Sequence, residues 1–247
     1  MGKARNQASK AIFFFVFISP VWACPKYDRD LYPNWIDADN DCQNARAEVL
    51  IRDSKGPVKF RGGGDCSVDS GRWDDPYTGQ TLVAAADIEI DHVVALAEAH
   101  RSKAWMWTAP EKTRFANFLD SAYHLLPVAS AANQAKSDLD PAEWLPPRAA
   151  YHAEFAAIWV KIKRHWNLTA DSAELSALRR LLPNVPGSAF PVLAPEDSCT
   201  EVMALFQGRK PRNIFPGSGF AGSLIGTHRL DGRRVLEIVK DARRETP

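Results

Sequence analysis

IEIDHVV at residues 88–94 and AYHLLPVASAANQAKSD at residues 122–138 are the two stretches on which the interpretation of this chain depends. The first is rich in β-branched residues and predicts a strand that carries an adjacent Asp-His pair, Asp91 and His92. The second predicts a short extended run and then a helix, because a proline disfavours helix in the residue before it. Two strands and a helix are thus predicted to carry two histidines, an aspartate, an asparagine and a lysine.

These side chains suit the metal-assisted hydrolysis of a phosphodiester, which needs a deprotonated water, a Lewis acid and groups that hold the geometry. A neutral histidine can supply the base, so Asp91 and His92 are the candidates for metal ligand and base. Aspartate and asparagine oxygens suit one hard cation such as Mg²⁺ or Mn²⁺. Neighbouring strand residues point to opposite faces, so we expect a strand-to-loop junction at residues 93–95 that lets both side chains reach one phosphate.

The predicted helix of the second stretch begins at Ser130, as its cap, and runs through Lys136. Asn133 and Lys136 are three residues apart and share a face of this helix. An amide oxygen for the cation and an ammonium for phosphate could therefore come from one turn. His124 precedes the second strand. Each side chain taken alone is more often structural, and it is their joint order that predicts a metal-dependent nuclease.

The remaining segments predict an α+β fold. Turn-forming residues indicate a hairpin across residues 58–83, and residues 45–51 read as a short helix or strand. A helix is expected over residues 109–119, with Thr108 as its N-cap. One further helical stripe is interpreted as core rather than as a base-stacking platform, because its members share one face. They are Phe155, Ile158, Trp159, Ile162 and Trp166.

A chain of 247 residues with 45% hydrophobic and 25% charged residues can bury a core, which excludes disorder throughout. Residues 1–23 have the pattern of a secretory signal, with three bases, a short apolar run and Val-Trp-Ala as a cleavage site. The alternatives are an uncleaved anchor and a lipidated Cys24. We therefore expect export to the extracellular space or a periplasm, without integral membrane association after cleavage.

The net charge argues neither for nor against nucleic acid. It is +1 for the whole chain, and loss of residues 1–23, which hold three bases and no acid, changes it to about −2. Binding to DNA, or to RNA as the alternative, must then depend on local basic patches and a bound cation. Recognition is expected to rest on phosphates, with little sequence preference. The sequence indicates no oligomeric state.

Four cysteines in an exported protein can form disulfides. Cys42 with Cys66 is the expected bridge, because both lie in the same compact N-terminal region. Cys199 would pair with Cys24 or stay free. In domain terms the sequence divides into the signal, a nuclease domain at residues 24–182 and a Pro- and Gly-rich extension at residues 183–247 with a terminal helix.

An acidic segment offers a different function. Its carboxylates stand at positions 1, 3, 5 and 12 of a calcium-loop pattern: Asp37, Asp39, Asp41 and Glu48. Position 6, where such a loop needs glycine, is Cys42, so a solvated loop before a helix is the favoured interpretation. A Ca²⁺ site is the alternative, and it would make the protein a non-catalytic secreted calcium-binding or wall-associated module.

Four segments together resemble the secreted HNH-type endonuclease family related to the C-terminal domain of the GmrSD restriction enzymes. They are EIDHVVALAEAHRSKAWMW, HLLPVASAANQAKSDLDPAEWLPP, WIDADNDCQNARAEVLI and CSVDSGRWDDPYTG. The resemblance covers about residues 27–182. It implies a fold similar to the ββα-metal (His-Me finger) nucleases, in which a two-stranded ribbon and a helix bracket one divalent ion.

The resemblance also implies roles for individual residues. His92 would be the general base, Asp91 a metal ligand from the first strand and Asn133 the second protein ligand from the helix. His124 stands at the position that braces the finger. Two bases would contact phosphate, Lys136 and Arg46. Two further acids, Glu89 and Glu98, would support the site or form salt bridges.

The chain departs from its relatives at two places. Residues 44–50 read NARAEVL where relatives commonly read NTRHEVL, so any role of that histidine is lost or unnecessary here. Relatives often carry a cysteine near Tyr151 that is absent from this chain, which leaves Cys199 without its expected partner.

Overall fold

The structure is a computed structural model that describes residues 25–33 and 35–193. Five sequence predictions lie outside the described residues: the signal at residues 1–23, the lipidation of Cys24, the pairing of Cys24 and Cys199, most of the C-terminal extension and its terminal helix. The described part is a mixed α+β fold with six α-helices and seven strands. The helices are α1 (Ala45–Asp53), α2 (Leu96–Arg101), α3 (Ala109–Ala116), α4 (Ser130–Lys136), α5 (His152–His165) and α6 (Ser172–Leu181). The strands are β1 (Lys59–Phe60), β2 (Val68–Asp74), β3 (Thr81–Ala84), β4 (Ile88–His92), β5 (Leu125–Ala129), β6 (Thr169–Ala170) and β7 (Val192–Leu193).

Strands β4 and β5 form an antiparallel two-stranded ribbon, and α4 follows β5 directly. The register runs from Ile88 opposite Ala129 to His92 opposite Leu125. Side chains alternate between the two faces of a strand. The apolar face of β4 packs into the core, whereas its other face carries two carboxylates toward α4. The predicted order of strand, strand and helix is thus confirmed in this region.

The buried hydrophobic residues of the described structure form two cores. The smaller core joins α1, β2, β4 and β5 through buried residues that include Val49, Leu50, Trp73, Ile88 and Leu125. The indole N–H of Trp73 donates to the Leu50 carbonyl at 2.8 Å, so its polar atom is satisfied inside this core. The larger core is centred on the helices, and its members include Val93, Phe115, Phe155, Trp159 and Leu178.

The residues before the ribbon fold as predicted, with one addition. β1, β2 and β3 form an antiparallel sheet, so the predicted hairpin over residues 58–83 gains a third strand. Residues 45–51 are helical, because the Asn44 side chain caps the free N–H groups of Arg46 and Ala47. The predicted disulfide between Cys42 and Cys66 is present and ties the loop before α1 to the loop before β2.

Helix starts were predicted with mixed success. Thr108 caps α3 in a reciprocal capping box with Glu111, as expected. Ser130 was predicted to cap α4, which is wrong: the cap position is Ala129, and Ser130 is the first helical residue. Its hydroxyl donates instead to the Asp87 carbonyl at 3.0 Å, which fastens α4 to the segment leading into β4.

The helical stripe at residues 155–166 belongs to the core, as predicted. Four of its members are buried, and Trp166 is partly buried against them. α5, which carries most of the stripe, has 14 residues. Within residues 25–33 and 35–193, no helix combines the length and the apolar character needed to cross a membrane.

Candidate active site

Asp91 and His92 lie where β4 ends. α2 begins at Leu96, so the junction predicted at residues 93–95 is present. Both side chains leave the ribbon from opposite faces, because Asp91 reaches α4 and His92 reaches the end of α3. Both residues nevertheless line one groove of about 600 Å³, which is bounded by the end of β4, the start of α2, α4 and the N-terminal segment.

The Asp91 carboxylate is 4% exposed and is held by two donors. The Lys136 ammonium donates to Oδ1 at 2.8 Å, and the Tyr77 hydroxyl donates to Oδ2 at 2.5 Å. Lys136 also donates to the His92 carbonyl at 3.0 Å. Burial raises the pKa of Asp91, and the two donors oppose that rise because both stabilise the charged form. The carboxylate is therefore fixed in direction at the edge of the groove.

His92 is held in one tautomer. Its Nε2 lies 2.9 Å from the Ala116 carbonyl oxygen, which can only accept, so Nε2 carries the hydrogen and Nδ1 carries the lone pair. The ring stacks between Trp35 and Phe115, with centroid distances of 5.7 and 6.5 Å. Burial, with smaller effects from the charges of Lys136 and Arg29, lowers the pKa of His92 to about 4, although the Ala116 carbonyl contact opposes this. The imidazole is thus neutral at neutral pH and can take up a proton at Nδ1.

His124 makes the same contact one residue earlier on α3. Its Nε2 lies 2.8 Å from the Phe115 carbonyl oxygen, and its Nδ1 is buried without a hydrogen-bond partner in the described structure. Its ring meets that of His92 edge to face, with 6.4 Å between centroids. Burial, the neighbouring His92 and His165 lower its pKa to about 3. Two neutral histidines therefore supply donors to the last two carbonyls of α3 and brace the end of the ribbon.

Asn133 lies on α4 and lines the groove together with Asp91 and His92. Its Nδ2 donates to Glu89 at 2.7 Å, and the neighbouring Gln134 amide donates to the same carboxylate at 2.9 Å. A carboxylate can only accept, so the amide nitrogen of Asn133 must face Glu89 and its oxygen remains for another ligand. Glu89 therefore orients the side chain that the sequence predicted as a metal ligand.

The other predicted site residues have partners inside the protein. Lys136, predicted to contact phosphate, is fully buried against Asp91. Arg46, with the same predicted role, donates to the carbonyls of Ala85 and Ile88 at 2.9 Å each. Glu98 lies away from the groove, where it pairs with Lys163 at 2.7 Å.

The sequence did not predict two residues of the site, one that holds Asp91 from behind and one that lines the groove. Tyr77 lies in the turn after β2, and only the tertiary fold brings its hydroxyl to Asp91. Arg29 comes from the N-terminal segment and lines the groove beside His92. A possible signal for Arg29 was its place in the short charged run YDRD at residues 27–30, just after the predicted signal peptide.

The acidic segment forms a separate cluster. Three of its carboxylates bring ligand atoms within 4.8 Å of one another: Asp37, Asp39 and Asp41. Burial and the charges of these three residues raise the pKa of Glu48, so Glu48 lies close to them. The Cys42 N–H donates to Asp37 at 3.0 Å, which turns the loop back on itself. The described structure thus brings together three of the four acids of the calcium alternative, and Glu48 is not among the residues whose ligand atoms converge.

Comparison with known proteins adds a relative and a family. An "Uncharacterized secreted protein" of Arthroderma benhamiae (strain ATCC MYA-4681 / CBS 112371) is 40% identical over 156 residues, which are 63% of this chain and 74% of the relative. No solved structure matches the chain. Residues 46–181 match the family model described as "GmrSD restriction endonucleases, C-terminal domain". This match covers more than half of the chain and includes α1, the ribbon and α4. The chain belongs to the family of the GmrSD restriction endonuclease C-terminal domain.

Proposed function

We propose that this protein is a secreted, metal-dependent endonuclease that hydrolyses the phosphodiester bonds of DNA, and also of RNA if its groove accepts both backbones. The observation that carries the proposal is the tautomer of His92: its Nε2 is bonded to the Ala116 carbonyl, and its Nδ1 is left as a base beside Asp91 and Asn133. Family membership supports a nuclease over a non-catalytic calcium-binding module. The printed name of the Arthroderma relative and the signal-like residues 1–23 support secretion.

The local fold supports a ββα-metal core. β4 and β5 supply the two-stranded ribbon, and α4 supplies the helix that packs on it. In this proposal Asp91 is the ligand from the ribbon and Asn133 the ligand from the helix. His124 braces the ribbon's end through α3, and Glu89 orients Asn133.

The donor chemistry of these residues fits one hard divalent cation. A carboxylate oxygen and an amide oxygen are ligands that Mg²⁺ and Mn²⁺ accept, and Mg²⁺ usually keeps several waters besides one or two protein ligands. The Asn133 oxygen is left for a ligand by the Glu89 contact, and each Asp91 oxygen keeps a lone pair beyond its single donor. When bound, the cation would act as a Lewis acid that stabilises negative charge on the scissile phosphate and the leaving oxygen.

Residues of the chain have separate roles in the proposed hydrolysis. The His92 Nδ1 takes the proton of the attacking water, and the Ala116 carbonyl keeps the ring in the tautomer that leaves this nitrogen free. Lys136 and Tyr77 hold Asp91 in one orientation. The aromatic rings of Trp35 and Phe115 keep the imidazole from rotating.

The test is the degradation of supercoiled plasmid and of RNA by the purified protein with Mg²⁺, with Mn²⁺ and with EDTA. We expect His92→Ala to cut about 10²- to 10⁴-fold more slowly, which is the contribution of a positioned base. His152→Ala is the matched control, because His152 also bonds a carbonyl, that of Pro146, but does not line the groove. A folded His92→Ala variant that cuts at the wild-type rate would refute the assigned base. Cleavage that persists at full rate in EDTA would refute the metal dependence.

A further inference from the structure

Arg29 brings a positive charge into the groove. It is exposed, and among the described residues that line the groove it is the sole lysine or arginine, whereas Asp91 and Asp138 are acidic. No carboxylate of the described residues forms an ion pair with it. One guanidinium nitrogen donates to the Tyr32 carbonyl. A guanidinium has five N–H donors, so most of this group is left for a ligand.

The other bases near the site are already engaged. Lys136 is fully buried and paired with Asp91. Arg46 donates to two backbone carbonyls. Arg101 binds both Glu98 and Asp138. A polyanion that enters the groove therefore meets one arginine without a carboxylate partner, and two carboxylates that would repel it.

The segment that carries Arg29 is fastened at both ends to one histidine. The His100 Nε2 lies 2.8 Å from the Pro25 carbonyl oxygen, and its Nδ1 lies 3.0 Å from the Tyr32 hydroxyl. The carbonyl can only accept, so Nε2 donates to it and Nδ1 accepts from Tyr32. Tyr32 is completely buried, and the Tyr27 ring meets His100 edge to face at 5.6 Å. Arg29 thus stands on a short loop whose position is set by α2, and not on a free terminus.

We propose that Arg29 is the phosphate-binding residue of the groove, and that its guanidinium binds the phosphodiester that lies beside His92. This inference rests on the proposed nuclease function and adds a residue from outside the family match at residues 46–181. A guanidinium fork matches two oxygens of one phosphate, which gives both charge and direction. Arg29 is also close enough for its charge to act on His92, after the larger effects of burial and Lys136. A guanidinium that contacts the scissile phosphate stabilises the negative charge that develops on it during hydrolysis.

The experiment compares Arg29→Ala, Arg29→Gln and Arg29→Lys with wild type in the full chain. Steady-state cleavage of a fluorescent DNA duplex with Mg²⁺ gives kcat and KM. Binding of the same duplex is measured by fluorescence anisotropy at several salt concentrations, in a His92→Ala background that prevents hydrolysis. Arg180→Ala is the matched control, because Arg180 is an exposed arginine of α6 that does not line the groove.

We expect the alanine and glutamine variants to lose about 10- to 100-fold in kcat/KM, which is the effect of one lost charged hydrogen bond. Arg29→Lys should recover part of the loss, because it keeps the charge and loses the fork. The salt dependence of binding should weaken by about one phosphate contact in Arg29→Ala. Arg180→Ala should behave as wild type in every assay.

The failures of the two proposals are distinguishable. If wild type cleaves and both Arg29→Ala and Arg29→Gln keep its kcat/KM and its salt dependence, the role of Arg29 is wrong and the nuclease function stands. If wild type cleaves no nucleic acid with any divalent ion, the proposed function is wrong. Should Arg29→Ala lower the unfolding temperature, Arg29→Lys decides: a lower kcat/KM in a lysine variant that is as stable as wild type supports the fork, and a wild-type kcat/KM refutes it.

Discussion

Two lysines within residues 25–33 and 35–193 are completely buried, and they lie in different regions. Lys163 lies in the helical core and has four acceptors within 2.9 Å, from Glu98, Ser102, Thr169 and Glu174. Lys136 lies beneath the groove and has two, the Asp91 carboxylate and the His92 carbonyl. An ammonium has three donors, so the core lysine has more acceptors than it needs and the groove lysine has fewer.

The difference in acceptors indicates that the ion pairs of Lys163 and Lys136 have different roles. Glu98 and Glu174 are both enclosed, and neither lines the groove, so the Lys163 network fixes α2 against α5 and α6. Asp91 reaches the groove while it is held by Lys136. A saturated buried network stabilises one arrangement, whereas the Asp91 carboxylate accepts one hydrogen bond on each oxygen and keeps lone pairs for a ligand in the groove.

The largest effect is expected from Lys163→Met. This change leaves the carboxylates of Glu98 and Glu174 buried without their shared cation, which costs about 3–5 kcal/mol of unfolding free energy. Urea denaturation measures the loss. Lys161→Met, an exposed position on the same helix, is the control and should stay within about 0.5 kcal/mol of wild type.

Lys136→Met completes the comparison. This change leaves one buried carboxylate, that of Asp91, without a cation, whereas Lys163→Met leaves two. Asp91 keeps the hydrogen bond from the Tyr77 hydroxyl and borders the groove. We expect a smaller loss of stability than for Lys163→Met, together with a larger loss of cleavage per folded molecule. Equal destabilisation by both variants, with unchanged cleavage by folded Lys136→Met, would contradict the distinction between the two regions.

The two regions should respond to acid at different pH values. Burial is the main reason why the pKa of His92 falls to about 4 and that of His124 to about 3, from 6.5 in the unfolded chain. The unfolded chain therefore binds more protons below pH 6.5, and the unfolding free energy falls with pH by about 2 kcal/mol per histidine at pH 5. Burial raises the pKa of Glu98, but Lys163 and Arg101 outweigh it and lower the value from 4.5 to about 2. Its stabilising contribution is thus lost only below pH 4.5. Burial raises the pKa of Glu174, which shares Lys163 with Glu98, to about 8, so the contribution of Glu174 to stability grows as the pH falls from 8 toward 4.5.

Urea midpoints between pH 8 and pH 3 test this order of events. The groove histidines should lower the unfolding free energy below pH 6.5, Glu174 should oppose them down to pH 4.5, and Glu98 should add a second decrease below pH 4.5. Lys163→Met should keep the first decrease and lose most of the second, because Glu98 then lacks its main partner. Glu174→Gln removes the opposing contribution, and a stability of this variant that is constant from pH 8 to pH 4.5 would show that the buried histidines do not control the acid response.

The smallest effect is expected from removing one hydroxyl. Tyr77→Phe deletes the donor to Asp91, which corresponds to a loss of about threefold to tenfold in cleavage rate and about 1 kcal/mol in stability. Trp159→Phe is its counterpart in the core, since the indole N–H donates to Glu174 at 2.5 Å. We expect that variant to lose stability and keep its cleavage rate per folded molecule. The opposite result for either variant would reverse the assignment of the two networks.

The sequence predicted what depends on local spacing. The ribbon, α4 and the shared face of Asn133 and Lys136 follow from residues within one or two turns of each other. The start of α3 was also predictable, because its capping box is a local pattern. The start of α4 was not, since the Ser130 hydroxyl is drawn to the Asp87 carbonyl by tertiary packing.

The partners of the site residues were beyond local reasoning. Tyr77 and Asp91 are 14 residues apart on different strands and turns, and no periodicity connects them. The Ala116 carbonyl that fixes the tautomer of His92 is a backbone group, so the residue type at that position does not predict the contact. Arg29 enters the groove only because His100 fastens a segment that is far from it in sequence. The orientations and hydrogen-bond partners of the site side chains therefore depend on the tertiary fold.

The paired histidine contacts at the end of α3 have an electrostatic consequence. The carbonyls of a helix's last turn carry the partial negative charge of its macrodipole, which stabilises a cation placed there. In the proposed mechanism the His92 imidazole takes a proton from water, and the new positive charge, on a ring whose Nε2 lies 2.9 Å from the Ala116 oxygen, would be partly offset by that end of the helix. The contact that selects the tautomer would thus also set how readily the proposed base releases its proton, with the end of α3 as its counter-charge.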